Sequence, residues 1–301
     1  PSELEGGERM RKVILCPNPY RDKGFSGTKE ALRILKGSGL ETVVCLPFSD
    51  DGRFRDPELT MQPLQQELRS SDLFIAFGGD GTILHLAKAV ALRGIPMLGV
   101  NLGSLGFISE LEQNEMPRLR ELAKWNFAIE GRMMLDVAVV RDGKQIYTNL
   151  ALNEASVTKG AVAHVIKLHV SSDGQDLVEV RGDGIVLATP TGSTGYSLSA
   201  GGPVVEPTAR NLLVSPICPI SMRFNSYVLS PEHTLTVWPV ESGRKPVYLS
   251  VDGGKAFLLK PGDVVRVRQS RHELKLVRLS GKSFSEIFEK KLLAGGQRDE
   301  K

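Results

Sequence analysis

The stretch with the clearest capacity for chemistry is Phe77-Gly78-Gly79-Asp80-Gly81-Thr82, set where an apolar run ends and a helical pattern begins. Glycines let the backbone approach a phosphate with no Cβ in the way, and the start of the following helix offers free N–H groups. A carboxylate among such glycines would repel an anion. Asp80 makes chemical sense there if it accepts a proton from a hydroxyl nucleophile. A helix N-cap with tight-turn glycines accounts for the same residues equally well. A second glycine-rich stretch, 99–107, reads Gly-Val-Asn-Leu-Gly-Ser-Leu-Gly-Phe. Its glycine spacing is not the dinucleotide fingerprint, and a strand-to-loop turn explains it as well. Asn153-Glu154 offers an amide and a carboxylate, which could grip ribose hydroxyls or an adenine edge. A solvated loop is the simpler reading of that pair taken alone. The richest stretch runs from Arg181-Gly182-Asp183-Gly184 through a short strand into 189–203, Thr-Pro-Thr-Gly-Ser-Thr-Gly-Tyr-Ser-Leu-Ser-Ala-Gly-Gly-Pro. No structural element requires so many small hydroxyl residues. Their hydroxyls and N–H groups suit a phosphate or a ribose.

Two patterns of elements must position these groups. Up to about residue 130, apolar strands at 13–16, 42–46, 73–77 and 97–100 alternate with helical compositions at 28–35, 58–69, 82–93 and 117–124. That order predicts a parallel sheet covered by helices on both faces. From about Met133 strands dominate: 135–141, 145–148, 165–170, 185–188, 235–237, 247–251, 256–259, 264–268 and 274–277, punctuated by Asp142-Gly143, Asp173-Gly174 and Pro261-Gly262. One helical segment, 193–200, interrupts them, and the tail at 283–293 is helical before a frayed end at 295–301. The expected organisation is an α/β nucleotide-binding domain over 10–131, a β-rich domain over 132–277, and a tail over 278–301 that packs back on the first domain.

Composition narrows the function classes. The 301 residues, 41% apolar and 24% charged, describe a globular chain long enough for two cores. A net charge of +3 with scattered basic residues argues against nucleic acid as a partner. No apolar run is long enough to span a membrane. Cys16, Cys45 and Cys218 are odd in number and widely spaced, which predicts free thiols, no cysteine metal site and a reducing cytoplasm. The residues Pro1 to Arg9 carry three glutamates and no apolar core, so they read as a leftover of expression ahead of Met10 and not as a signal peptide. The P-loop is missing: Gly281-Lys282-Ser283 has Leu276 where the upstream glycine is required. The protein-kinase motif set and the metal-ligand spacing of histidines are missing too, and His85 reads as a surface or packing residue.

Taken together, Gly78-Gly79-Asp80-Gly81-Thr82, Asn101-Leu102-Gly103, Leu105-Gly106-Phe107, Asn153-Glu154, Gly182-Asp183-Gly184 and the run 189–203 resemble the NAD kinase family over nearly the whole chain. The resemblance implies an N-terminal parallel α/β domain and a C-terminal β-sandwich-like domain with the active site between them. It implies transfer of a phosphoryl group from ATP to the adenosine ribose 2′-hydroxyl of NAD, giving NADP and ADP. Asp80 would be the general base, with Gly78, Gly79, Gly81 and Thr82 on the phosphates. The NAD site would comprise Asp80, Gly81, Phe107, Asn153, Glu154, His164, Arg181, Asp183, Thr194, Gly195, Tyr196, Ser197, Leu198 and Ser199. Phe107 looks like a wall of the adenine pocket. A divalent ion, Mg²⁺, would arrive with ATP, no metal being held by the protein alone, and the chain would form a homo-oligomer, a dimer or tetramer. Gly195 stands where the family commonly has alanine, and Gly254 where it often has a side-chain amide. Two rivals share parts of the pattern. A lipid or sphingoid-type kinase has the same Gly-Gly-Asp-Gly-Thr turn, but Asn153-Glu154 and 189–203 speak against it. A catalytically dead dinucleotide-binding regulator would not need Asp80.

Overall fold

The computed structural model describes residues 10–48, 52–103, 106–160, 164–220, 225–240 and 245–296, the side chains of 292–296 excepted. The proposed expression leftover, two residues of the 99–107 stretch (Ser104 and Leu105) and the far end of the frayed tail lie outside the described residues. The chain forms two compact units, Pro1–Glu130 with Lys275–Lys301, and Gly131–Leu274.

In the first unit the strands β1 (Lys12–Pro17), β2 (Glu41–Cys45), β3 (Met61–Gln62), β4 (Leu73–Gly78) and β5 (Met97–Asn101) form a parallel sheet in the order β5-β4-β1-β2-β3. Every residue of β4 and β5 is buried, as a sheet covered on both faces demands. Because side chains alternate along a strand, Val13, Leu15, Leu73, Ile75 and Phe77 share one core with Ala31 and Leu35 of helix α1 (Ser26–Lys36). The other face meets helix α3 (Asp80–Ala91): a Cβ on Gly99 would lie 2.5 Å from Ile83 Cδ1.

Two helical expectations need correction. Over 58–69 the chain makes β3 and then only a short helix α2 (Leu64–Glu67), separated by Pro63. Proline keeps the residue before it out of the helical region, so it starts a helix here and cannot continue one. Over 117–124 the helix is of the tighter 3-10 kind. It runs Gln113–Lys124 with Pro117 inside it, behind a short strand β6 (Leu111–Glu112), and a Glu112–Glu115 capping box opens it.

The chain leaves this unit within β7 (Ala128–Arg141) and returns within β18 (Val264–Arg278). Beyond that return, Arg278 pairs with Glu110 (3.0 Å) and Glu130 (2.9 Å), and Lys282 with Glu115 (2.6 Å).

The second unit is built of β8 (Lys144–Ala151), β9 (Glu154–Lys159), β10 (Ile166–Ser172), β11 (Gln175–Gly182), β12 (Gly184–Ala188), β13 (Leu212–Ile217), β14 (Tyr227–Leu229), β15 (Thr234–Pro239), β16 (Val247–Val251) and β17 (Phe257–Leu259), together with β7 and β18. One antiparallel sheet has the order β14-β13-β12-β9-β16-β17; the other strands pair as β11-β10-β15-β18, with β7 bonded to β18 and β8. Leu135, Val170, Leu235 and Val265 from one layer and Val157, Leu187, Val214 and Leu249 from the other make a single core. Two layers of sheet sharing one core are a sandwich-like arrangement.

Four strands, β9, β11, β13 and β14, are additional to those the sequence suggested, and the two expected at 264–268 and 274–277 are one continuous strand. The helical segment expected at 193–200 is two short pieces, a 3-10 turn (Thr191–Thr194) and helix α4 (Tyr196–Ser199), broken at Gly195. The tail helix α5 (Phe284–Gly296) opens with a reciprocal cap. Ser283 N–H donates to Glu286 Oε2 (2.8 Å), and Glu286 N–H donates to Ser283 Oγ (3.3 Å).

Candidate active site

The turn from β4 to α3 shows where Asp80 stands. Gly79 is the N-cap of α3, and Asp80 is the first helical residue. Its carboxylate reaches across to the loop after β5. Phe107 N–H donates to Oδ2 (2.7 Å) and Ile108 N–H to Oδ1 (3.2 Å). Two fixed donors keep the carboxylate aimed. Gly106 is required by this approach, since a Cβ there would sit 2.1 Å from Asp80 Oδ1.

The neighbouring glycines do different things. Gly79 and Gly81 meet nothing within 4 Å where a Cβ would stand, so their backbone is open to a ligand. Gly78 is closed, because a Cβ would meet Thr82 Oγ1 at 2.3 Å. That hydroxyl accepts a hydrogen bond from Asn18 Nδ2 (3.0 Å), and Thr82 is buried. Gly78 and Thr82 therefore pack on one another, and Gly78 also lines a cavity beside Gly79 and Gly81. This cavity, of about 230 Å³, is lined by Asp80, Asn101, Arg21 and Lys291 among others. It lies past the carboxyl end of β4, where open α/β sheets bind ligands. Phe107 is half-buried. Its ring is 6.5 Å from that of Phe284 and 6.1 Å from that of Phe288, both on α5.

In the second unit an acidic side chain organises Asn153-Glu154. Asp252 has a left-handed φ of 47° in the turn after β16, followed by Gly253 at 67°. Its carboxylate accepts the N–H groups of Leu152 (2.7 Å), Asn153 (2.8 Å) and Glu154 (3.0 Å). Burial pushes the Asp252 carboxyl above its ordinary value, and these three donors pull it back. From the other side Thr189 Oγ donates to Leu152 O (2.6 Å) and Thr189 N–H to Asn153 O (2.9 Å). Gly192 presses so close that a Cβ would lie 2.1 Å from Asn153 O.

The pair held this way presents two buried oxygens, Asn153 Oδ1 and Glu154 Oε2, that no described residue bonds. Native interiors rarely leave such atoms unpaired, so they mark a place for a polar ligand. Burial pushes the Glu154 carboxyl up to about 7; the nearby Asp252 charge adds to this, and the Tyr196 N–H opposes it. Gly195 lies against the same groups: its Cβ would be 3.2 Å from Glu154 Oε2 and 3.3 Å from Asn153 Nδ2.

The remaining expected residues divide by exposure. Tyr196 and Leu198 are 41% and 40% exposed, which leaves a ring and an alkyl face free for contact. Ser199 is exposed, Thr194 is half-buried, and His164 and Arg181 are exposed. Asp183 pairs with Lys159 at 2.7 Å. Ser197 is turned inward, fully buried and bonded to Ser215 Oγ (3.0 Å), so its hydroxyl belongs to the packing of α4. Gly254 closes its turn by donating to Val251 O (2.9 Å), and Ser250 Oγ donates to Gly254 O (3.0 Å). Sequence reasoning missed Asp252, Thr189 as a clamp, and Lys291, and it named Gly106 only as part of a motif, without its contact to Asp80. The first could have been suspected from Asp252-Gly253, a pair that readily takes positive φ.

A carboxylate fixed beside a glycine-opened cavity past the end of a parallel sheet defines a nucleotide-type site. The comparisons make the class specific. The ATP-NAD kinase N-terminal domain matches residues 28–123, and the ATP-NAD kinase C-terminal domain matches residues 152–279. An NAD kinase of Symbiobacterium thermophilum is 40% identical over 94% of this chain and 99% of its own length. One of Natranaerobius thermophilus is 36% identical over 95% of this chain and 99% of its own. The crystal structure of yeast NADH kinase complexed with NADH superposes with a TM-score of 0.78 at 29% identity, covering 90% of this chain and 84% of that one. An NAD kinase from Archaeoglobus fulgidus in complex with ATP gives 0.71 at 26% identity, covering 92% and 98%. This chain belongs to the NAD kinase family.

Proposed function

We infer that this protein phosphorylates NAD with ATP, on the adenosine ribose 2′-hydroxyl, to give NADP and ADP. The observation that carries the site assignment is the Asp80 carboxylate, fixed by two backbone donors beside Gly79 and Gly81, whose backbone is open. In this reading Asp80 orients the 2′-hydroxyl and takes its proton, while the Gly79 and Gly81 backbone faces phosphate oxygens. Asn153 and Glu154 take the NAD adenosine, since their two unpaired buried oxygens suit ribose hydroxyl and amino donors. Tyr196, Leu198, Thr194 and Ser199 give contact along the dinucleotide, and Asp183 lies toward its nicotinamide side with Arg181 and His164 as further contacts. Ser197 contributes its backbone. Family membership weighs against the lipid-kinase rival, and the fixed Asp80 against the inert regulator.

Mg²⁺ enters as part of the MgATP substrate. Among the described residues no group of three or more His, Cys, Asp or Glu side chains could hold a metal. We also propose a homo-oligomer in the cytoplasm. The three thiols are free, and no helix among the described residues is long and apolar enough to cross a membrane.

Incubation with ATP, Mg²⁺ and NAD should yield NADP, read by a coupled NADP-specific dehydrogenase. Excess EDTA should stop the reaction without unfolding the protein. Phosphorylation of diacylglycerol with no NADP formed would reject this function. Thr194→Ala and Tyr196→Ala should each raise KM for NAD more than KM for ATP. A hydrogen bond or a stacking face is worth about 1 kcal/mol, roughly a fivefold change. An effect confined to ATP would reverse the assignment of the two nucleotides.

A further inference from the structure

Helix α5 brings a charge to the cavity around Asp80. Its first turn is pinned by the Ser283–Glu286 cap, and Phe284 and Phe288 lie against Phe107. One turn on, Lys291 lines the cavity with Arg21, Gly79, Asp80 and Gly81. Its Nζ is 3.8 Å from Asp80 Oδ2 and 3.8 Å above the centroid of the Phe107 ring.

We propose that Lys291 binds the donor phosphates, its ammonium meeting an oxygen of the phosphoryl group that ATP gives up. This rests on the kinase reading of the same site. Asp80 already has the N–H groups of Phe107 and Ile108, so its charge does not call for a lysine. At 3.8 Å the two groups are at ion-pair separation and beyond hydrogen-bond length, so Asp80 does not occupy the ammonium's donors. The Phe107 face holds the ammonium over the cavity by cation–π attraction. A lysine serving packing alone would turn its head to water, as long cationic side chains do. Here the side chain is 29% exposed, and burial pulls the ammonium below the ordinary lysine range while Asp80 pulls it back up. An incoming phosphoryl group would meet open backbone at Gly79 and Gly81 and a cation at Lys291.

In the step itself the 2′ O–H bond breaks and its proton passes to Asp80. The ribose oxygen forms a bond to the γ-phosphorus, and the bridging P–O bond breaks with its electron pair leaving on ADP. Lys291 neither gives nor takes a proton. It steadies negative charge on the transferring group, as cationic clamps do in phosphoryl transfer.

The test compares wild type, Lys291→Met and Lys291→Arg for kcat, for calorimetric Kd of MgATP and of NAD, and for Tm. Methionine keeps an apolar stem against Phe107 and removes the charge. It should lower kcat by roughly ten- to a hundredfold and weaken MgATP by about tenfold, leaving NAD affinity within about twofold. Arginine should recover part of both losses. Wild-type kcat and MgATP affinity in Lys291→Met would overturn the inference, as would a loss confined to NAD. If Lys291→Met also melts lower, an arginine variant that restores Tm but not MgATP affinity overturns it equally. A wild-type protein that makes no NADP from NAD and MgATP would instead end the kinase reading itself.

Discussion

Asp80→Asn is expected to lower kcat by about 10² to 10⁴ while leaving NAD affinity close to wild type. The substitution keeps the side chain's size and removes its basicity. The structure makes the expected side effect specific. The carboxylate accepts one N–H on each oxygen, from Phe107 and Ile108, and an amide can accept only one of them. The other N–H would face an NH₂ group, at a cost on the order of 1 kcal/mol, or a few degrees in Tm for a chain of this size. A merely structural Asp80 would show that drop in Tm and nothing else. Phosphoryl transfer through a loose transition state demands little deprotonation early on, so a rate loss near the lower end still fits a base. A variant that melts a few degrees lower and turns over near the wild-type rate would remove Asp80 from the chemistry. Steady-state kinetics and thermal melts on one preparation separate the two outcomes.

What the sequence made legible is what local pattern encodes. The buried runs that became β1, β4 and β5 announce a parallel sheet, and the glycines around Asp80 announce a turn built for close approach. Strand β9, Glu-Ala-Ser-Val-Thr-Lys, was hard to read because its apolar alternation is only two residues long, the small Ala155 and Val157, among polar side chains. Its place is fixed by ladders to β12 and β16 on either side. The stretch 58–69 misled because helix-forming composition outweighed Pro63 in the reading, whereas in the chain the proline decides.

The site shows the same division. Asn153-Glu154 could be named from sequence, but its anchor Asp252 is about a hundred residues away, acting on backbone N–H groups that leave no trace in residue type. Lys291 sits in a tail whose own sequence shows only an amphipathic helix; the fold of the first unit brings it to Asp80. Ser197 shows the converse error. A hydroxyl in a hydroxyl-rich run looks available, and only the three-dimensional packing on Ser215 shows that it is not.

Glu154→Gln is expected to stabilise the protein above neutral pH and to weaken NAD binding in the same range. Glu154 is buried, its Oε2 has no partner among the described residues, and its pKa is raised to about 7. The native state therefore keeps a proton between about pH 4.5 and 7 that the unfolded chain gives up. With more protons bound in the native state, stability falls as pH rises through that window. It is highest below pH 4.5 and levels off above 7. A shift of this size corresponds to roughly 3 kcal/mol lost by pH 8. Glutamine carries no charge at any pH, so the variant should gain Tm over wild type at pH 8 and show little gain at pH 4.5. Ligand binding runs the other way. Hydroxyl donors from a ribose favour the charged carboxylate, so NAD should bind with release of a proton. Wild-type affinity for NAD should therefore rise between pH 6 and 8, while the glutamine variant should bind more weakly and with little dependence on pH. Equal melting temperatures for the two proteins at pH 8 would show that Glu154 carries no buried charge. A pH-independent NAD affinity in wild type would detach this carboxylate from the ligand.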